Sequence, residues 1–185
     1  MCFLEVNILR NKIMLIITII VFTVCMCIIC FGWSKKEPLV YAFLGEEEIP
    51  LVYDNMTLDE LSNKLNRSLN STVSGKGYLI ASHSLEMGVD PYVATAILLH
   101  ETGCKWECSY LVKSCNNVGG QKGYGCGSYS YFNSLDEGII AFIDNLSYNY
   151  ASYGLVTPEQ INTKYASDTS WAQKVNNYID IIKAQ

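Results

Sequence analysis

The chain has 185 residues, half of them hydrophobic, with 12% aromatic and 17% charged side chains and a net charge of −5. That composition excludes a disordered chain, because there is enough apolar and aromatic surface to bury a core. The acidic balance argues against nucleic acid as a partner, which requires a basic face.

Residues 1–12 form a short leading segment that carries Glu5, Arg10 and Lys12. Ile13 to Trp33 follow, 21 residues without a charge. As a helix they span about 31 Å, close to the roughly 30 Å hydrocarbon core of a bilayer, and we read 13–33 as a transmembrane anchor. A buried core helix would show a polar face, whereas this one has only Thr18, Thr23 and three cysteines. A cleaved signal would end in a small-x-small site, but the end reads Cys27-Ile28-Ile29-Cys30-Phe31-Gly32-Trp33. Bulky Ile28-Ile29 also match poorly a lipid-attachment signal at Cys30. Arg10 and Lys12 precede the span and Lys35 and Lys36 follow it, so flanking charge leaves the orientation tied. Residues 34–55, with Glu46-Glu47-Glu48 and two prolines, read as a stalk, and 56–185 as one globular domain. Residues 34–185 carry 11 basic and 17 acidic side chains, a net −6.

Four of the eight cysteines, Cys2, Cys25, Cys27 and Cys30, belong to the anchor region. There they act as small hydrophobes or palmitoylation candidates. Cys104, Cys108, Cys115 and Cys126 fall within 23 residues of the globular part. Two disulfides stapling a loop is the stronger reading. Zinc is the rival, although the spacings lack the short C-x₂-C knuckle. Three pairings stay open. If oxidised, these cysteines place the domain outside the cytoplasm, which breaks the orientation tie.

Helix-start signals recur through the domain. Thr57-x-x-Glu60 is a capping box ahead of Leu58, Leu61, Leu65 and Leu69. Gly75-Lys76-Gly77 breaks the chain, and Tyr78–Met87 makes a second helix that ends at Gly88. Asp90 with Pro91 opens a third, closed by Gly103. Ser134-x-x-Glu137 caps a long fourth through Leu135, Ile139, Phe142, Ile143, Leu146 and Tyr150. Thr157-Pro158-Glu159-Gln160 opens a short fifth, and a sixth runs from about Thr169 to the end. Between Cys104 and Phe132 the sequence is glycine-rich and has no helical period; Tyr129, Tyr131 and Phe132 point to a small hairpin. The expected class is mainly α (α+β), a helical domain with one small irregular or β lobe and one transmembrane helix in front.

The third helix, Val93 to Glu101, is apolar nearly all round, as a central buried helix would be. Glu101 shares a face with Ala94, Ile97 and Leu98 near its C-terminal end. Desolvation and the negative end of the helix dipole would both raise the pKa of such a carboxyl. A carboxylic acid kept protonated is the proton donor that glycosidic cleavage needs. The bland alternative is a surface glutamate at a frayed end, or one paired with Lys105. His100 is an acid–base candidate or a buried histidine, and His83 carries no assignment. There is no G-x-S-x-G, Walker-type loop or H-E-x-x-H, and we expect no cofactor and no metal.

Glu101-Thr102-Gly103, Cys115-Asn116-Asn117-Val118-Gly119-Gly120 and Tyr131-Phe132-Asn133-Ser134 resemble the glucosaminidase family of peptidoglycan hydrolases. The family is also labelled mannosyl-glycoprotein endo-β-N-acetylglucosaminidase and has a lysozyme-like fold. The likeness continues in Tyr165-Ala166-Ser167-Asp168 and in Trp171-Ala172-x-Lys174-Val175, and covers about 56–185. It implies Glu101 as general acid and Tyr165 as support for the acetamido group or the developing charge. It implies Asn116, Asn117 and Gly120 as the cleft floor, with the asparagines hydrogen-bonding substrate amides. Tyr124 and Tyr131 would stack on sugar rings, as Tyr129 could. The chain departs from the family pattern at Cys104-Lys105-Trp106-Glu107-Cys108-Ser109 and at Thr169. A second carboxylate is not obvious: between Glu101 and the fourth helix the only acidic residue is Glu107, with Asp136 and Glu137 next. Without one, the substrate's N-acetyl group would be the nucleophile, or an anhydro product would form.

The resemblance implies a membrane-anchored peptidoglycan hydrolase, an endo-β-N-acetylglucosaminidase whose domain faces the cell wall. Its partners would be glycan strands and the membrane, with a secretion or conjugation assembly as a possible setting. The alternatives are a lytic transglycosylase or muramidase of the same fold, a non-catalytic peptidoglycan-binding module, or a scaffold.

Overall fold

In the computed structural model, Met14, Ile16 and residues 49–185 are described. The expected anchor and most of the expected stalk lie outside the described residues, and among those described no helix is long and apolar enough to cross a membrane. Pro50–Gln185 forms one compact unit, which takes in residues 50–55 of the expected stalk.

Its elements run α1 (Leu58–Asn66), a 3₁₀ turn Ser71–Val73, α2 (Gly77–Glu86), α3 (Pro91–Thr102) and α4 (Tyr110–Cys115). A two-stranded hairpin, β1 (Gly125–Cys126) and β2 (Tyr129–Ser130), comes next, then α5 (Leu135–Asn149), a 3₁₀ turn Ala151–Tyr153, α6 (Pro158–Tyr165) and α7 (Trp171–Lys183). The capping boxes stand where the sequence places them, at Thr57/Glu60 and Thr157/Gln160. Ser134 accepts from the Glu137 amide at the start of α5.

The centre of the unit is α3. Ten of its twelve residues are buried. Burying each Val, Ile or Leu there stabilises the fold by about 1.5–3 kcal/mol. Its polar members are satisfied internally: Thr95 donates to the Pro91 carbonyl at 2.7 Å and Thr102 to that of Leu98 at 2.5 Å. The helix packs chiefly on α7 and also on α2, with Leu61, Leu65, Phe142, Ile143, Val175 and Ile182 completing the core. Its start is fixed twice. Asp90 caps the Tyr92 and Val93 amides at 2.8 and 3.1 Å through one carboxylate oxygen. Its other oxygen accepts from the Tyr53 hydroxyl at 2.8 Å, while Tyr92 donates to Asp54 at 3.1 Å and the two rings meet edge-on at 5.1 Å. Residues 53–56 are therefore locked onto the beginning of α3.

The middle lobe differs from the sequence expectation. The hairpin pairs Gly125 with Ser130 and Cys126 with Tyr129, so Tyr131 and Phe132 lie beyond it. A short helix, α4, sits where no helical period was visible, because six residues are too few to show one. The cysteines pair in sequence order, Cys104–Cys108 and Cys115–Cys126, so the loop before α4 is closed on itself and the end of α4 is tied to the hairpin.

Two outcomes follow from the lock at α3. Asp90→Ala, which removes the cap and the Tyr53 acceptor together, is expected to cost about 1–3 kcal/mol in denaturant unfolding; an unchanged midpoint would contradict it. Burial, with the Asp54 hydrogen bond second, pushes Tyr92 up to about 12 from 10.0. The folded state therefore keeps a proton that the unfolded chain releases, so this contribution is intact below pH 10 and declines as the pH rises from 10 towards about 12. Unfolding measured across that window in wild type and Tyr92→Phe checks it, the variant having the shallower decline.

Candidate active site

Gly103 ends α3 in the left-handed conformation, φ 69°, with its N–H on the Leu99 carbonyl. That turn leaves Glu101 at the last exposed position of a helix otherwise packed inside the core. The burial expected for its carboxylate is thus not present: the i−3 and i−4 neighbours are buried, but the helix end opens to solvent. Glu101 does not sit free. The indole N–H of Trp171 donates to its Oε1 at 3.1 Å. Trp171 is buried, begins α7 and stacks on Tyr165 with ring centroids 4.7 Å apart and an interplanar angle of 29°. Tyr165 in turn lies 5.6 Å from the ring of Tyr150. Burial, and then the Glu101 charge, push the Tyr165 phenol well above its ordinary value. It stays a neutral hydroxyl beside the carboxylate.

The loop that delivers Trp171 is itself ordered. Asp168 accepts from Lys174 at 2.7 Å and from the Ser170 amide and hydroxyl at 2.8 and 2.7 Å, and these bonds hold its carboxyl far below the usual range. Its carbonyl accepts from the Trp171 amide at 3.1 Å. The sequence places Trp171 within a motif, and its contact with Glu101, 70 residues away in the chain, is visible only in the fold. A donor-bearing aromatic at the first position of the last helix was the available signal.

Asn117, expected to hydrogen-bond substrate amides, is engaged inside the lobe. Its side chain is 1% exposed. Nδ2 donates to the carbonyls of Gln121 and Ser130 at 2.9 and 3.0 Å, and Oδ1 accepts from the Gln121 amide at 3.0 Å. Its donors are directed into the lobe, so it pins the loop to the hairpin. Asn116 is half-buried in the left-handed region, φ 53°, and its Nδ2 donates to the Phe132 carbonyl at 2.9 Å. It too braces the loop. Gly138 of α5 makes that packing possible, since a Cβ there would meet the Asn116 carbonyl oxygen. Gly120, with φ 60°, faces open space. Tyr124 and Tyr131 are 94% and 50% exposed, so both rings are available at the surface. Tyr131 borders an open groove with Tyr110, Cys115 and Tyr129.

The three carboxylates that follow Glu101 in the chain each have another partner. Glu107 pairs with Lys113 at 2.5 Å, which lowers its pKa. Asp136 pairs with Lys76 at 2.6 Å, and Glu137 accepts the Asn133 amide at 2.8 Å beside the start of α5. Among the described residues no group of three or more His, Cys, Asp or Glu side chains is arranged to hold a metal ion. The site offers one carboxylate at a helix end and a neutral phenol behind an indole.

The profile of the glucosaminidase family, described as mannosyl-glycoprotein endo-beta-N-acetylglucosaminidase, matches residues 79–184. The chain belongs to this family. It is a glycoside hydrolase by that membership, and the matched stretch contains α3 with Glu101, the Asn116–Gly120 loop, the hairpin and the Tyr165–Trp171 stack. The fold is shared with S. aureus autolysin E, solved with a muropeptide, NAM-L-Ala-D-iGlu. That match has a TM-score of 0.56 and 21% identity, over 70% of this chain and 68% of the other. A catalytic glutamate-to-alanine mutant of autolysin E, solved with the disaccharide NAG-NAM, matches at 0.56 and 20% with the same coverage. These likenesses place the glucosaminidase domain in the lysozyme-like fold. No curated protein matches the chain.

If Asn117 braces the glucosaminidase lobe, Asn117→Ala should lower unfolding stability by about 1–3 kcal/mol, since the Gln121 amide and the Ser130 carbonyl lose this partner while the Gln121 carbonyl keeps the Ser130 amide. Equilibrium denaturation measures this, and a loss of substrate affinity at unchanged stability would return Asn117 to a binding role.

Proposed function

We propose that this chain is a membrane-anchored peptidoglycan hydrolase that cuts the glycan backbone as an endo-β-N-acetylglucosaminidase, with Glu101 as general acid. The observation that carries the assignment is the Glu101–Trp171 hydrogen bond of 3.1 Å, which orients a carboxylate at the open end of a buried helix. Covering by a sugar strand removes water from that carboxyl, and loss of water favours its neutral, proton-donating form. Glu101 then protonates the leaving glycosidic oxygen. Tyr165, held neutral behind Trp171, supports the charge that develops on the ring or the acetamido group. Because Glu107, Asp136 and Glu137 each have other partners, the nucleophile in this reading is the substrate's own N-acetyl oxygen. The same engagement of carboxylates fits internal attack by the muramic hydroxyl, so a lytic transglycosylase is the second reading.

Peptidoglycan as substrate is supported by the muropeptide and disaccharide bound to autolysin E. The uncharged run 13–33 supports a single-pass anchor. The two disulfides support a domain on the cell-wall side, where thiols oxidise.

Full-length protein incubated with purified peptidoglycan should release fragments with reduced N-acetylglucosamine ends after borohydride treatment. Glu101→Gln should lower the rate by at least about a hundredfold while leaving the fold intact. Trp171→Phe, which keeps the stack on Tyr165 and removes the donor, should lower kcat about tenfold with little change in KM. Wild-type turnover in Glu101→Gln would remove the assignment, and anhydro-muramic ends would favour the second reading.

A further inference from the structure

The segment Cys104–Ser109, where the chain departs from its family's pattern, builds something of its own. The Cys104–Cys108 disulfide closes a short loop on the end of α3. Asn70 clamps that loop from outside, its amide donating to the Cys104 carbonyl at 3.0 Å and its side chain to that of Lys105 at 2.7 Å. The Ser109 amide holds the Thr102 carbonyl at 2.9 Å, and that of Trp106 holds Gly103 at 3.1 Å. At the tip of this braced loop the Trp106 indole is 80% exposed. A large apolar ring fixed in solvent gains nothing for the fold.

Trp106 forms one wall of an open groove of about 340 Å³ whose other lining residues include His100, Lys105, Lys174, Asn177 and Tyr178. The groove starts one residue from Glu101 and runs along α7: His100 lies 6.2 Å from Trp171 and 6.2 Å from Tyr178, ring to ring. Its lining contains two lysines and no carboxylate, in a domain whose residues 34–185 carry a net −6. Lys174 also pairs with Asp168 at 2.7 Å. Lys105, whose ammonium stands 5.4 Å from the Trp106 ring, has no carboxylate partner among the described residues.

We infer that this groove is a substrate-binding site for an amino sugar bearing a carboxylate, with Trp106 stacking on the ring and Lys105 taking the carboxylate. In peptidoglycan that unit is the muramoyl residue with its lactyl or stem-peptide carboxylate, on the same strand that reaches Glu101. The inference rests on the hydrolase reading of that site for its ligand, and deepens it: the disulfide-bound loop selects the acidic unit beside the scissile bond. A bound strand therefore contacts both the helix end and the groove.

Binding tests it apart from turnover. Full-length Glu101→Gln protein is sedimented with insoluble peptidoglycan, either native or with its carboxylates capped as methylamides by carbodiimide. Adding Trp106→Ala should weaken binding about tenfold to both forms, the loss expected of one stacked ring. Adding Lys105→Gln should weaken it about threefold to native wall and leave capped wall unaffected. Trp106 is exposed, so both variants should keep the parent Tm, which is measured alongside. Undiminished binding by the Trp106→Ala variant would overturn the site. An equal effect of Lys105→Gln on native and capped wall would overturn the recognition of a carboxylate. If Glu101→Gln alone still cleaved at the wild-type rate, the catalytic assignment would fail while these binding results still decided the groove.

Discussion

The structure depends on one helix being buried on nearly every side and released at one end. The apolar run of α3 has no face that prefers water, so α2 and α7 pack against it and its axis cannot rotate without exposing core. Its two ends are set by local chemistry: an aspartate cap reinforced by a tyrosine pair, and a left-handed glycine. Between those fixed points the position of residue 101 follows. A carboxylate is thereby presented to solvent from a rigid support, which is the condition for directing a proton at a bond rather than merely carrying a charge.

The second lobe solves a different problem. It has too few residues to build a core of its own; Val112 and Val118 join the helical core, and covalent and polar ties hold the rest. Two disulfides, the inward-turned amide of Asn117 and the close approach of α5 to the Asn116 carbonyl hold a glycine-rich loop in one shape. A lobe built this way can keep tyrosines at its surface, since its folding does not need to bury them. The domain thus combines a dry helical half that positions Glu101 with a stapled half that offers aromatic surface.

Electrostatics joins the two. The chain is acidic overall, yet the surroundings of Glu101 are arranged so that its neighbours are aromatic rather than charged. Trp171 supplies a hydrogen bond without a formal charge, Tyr165 remains protonated behind it, and the nearby acidic residues are neutralised by Lys113 and Lys76 or used as a cap. The lysine-bearing groove beside Glu101 is the local reversal of the overall charge.

Much of this was legible in the chain itself, because it depends on neighbours in sequence. Capping boxes, the Asp90-Pro91 start, the Gly103 stop and the apolar periodicity are local signals, and each marks an element within a residue or two of where it lies. Glu101 stood out for the same reason, as a carboxylate at the end of an all-apolar helix. The parts that were not legible depend on pairs far apart. Whether Glu101 is covered or exposed is decided by what lies past Gly103, and its partner Trp171 arrives from the other end of the domain. The family resemblance assigns the Asn116-Asn117 amides to substrate, and only the returning hairpin and the Phe132 segment supply the carbonyls that engage them. Helix ends and apolar stripes are short-range physics that the sequence alone determined. The direction in which a polar side chain spends its hydrogen bonds was decided by the tertiary structure, because the partner can come from anywhere in the chain.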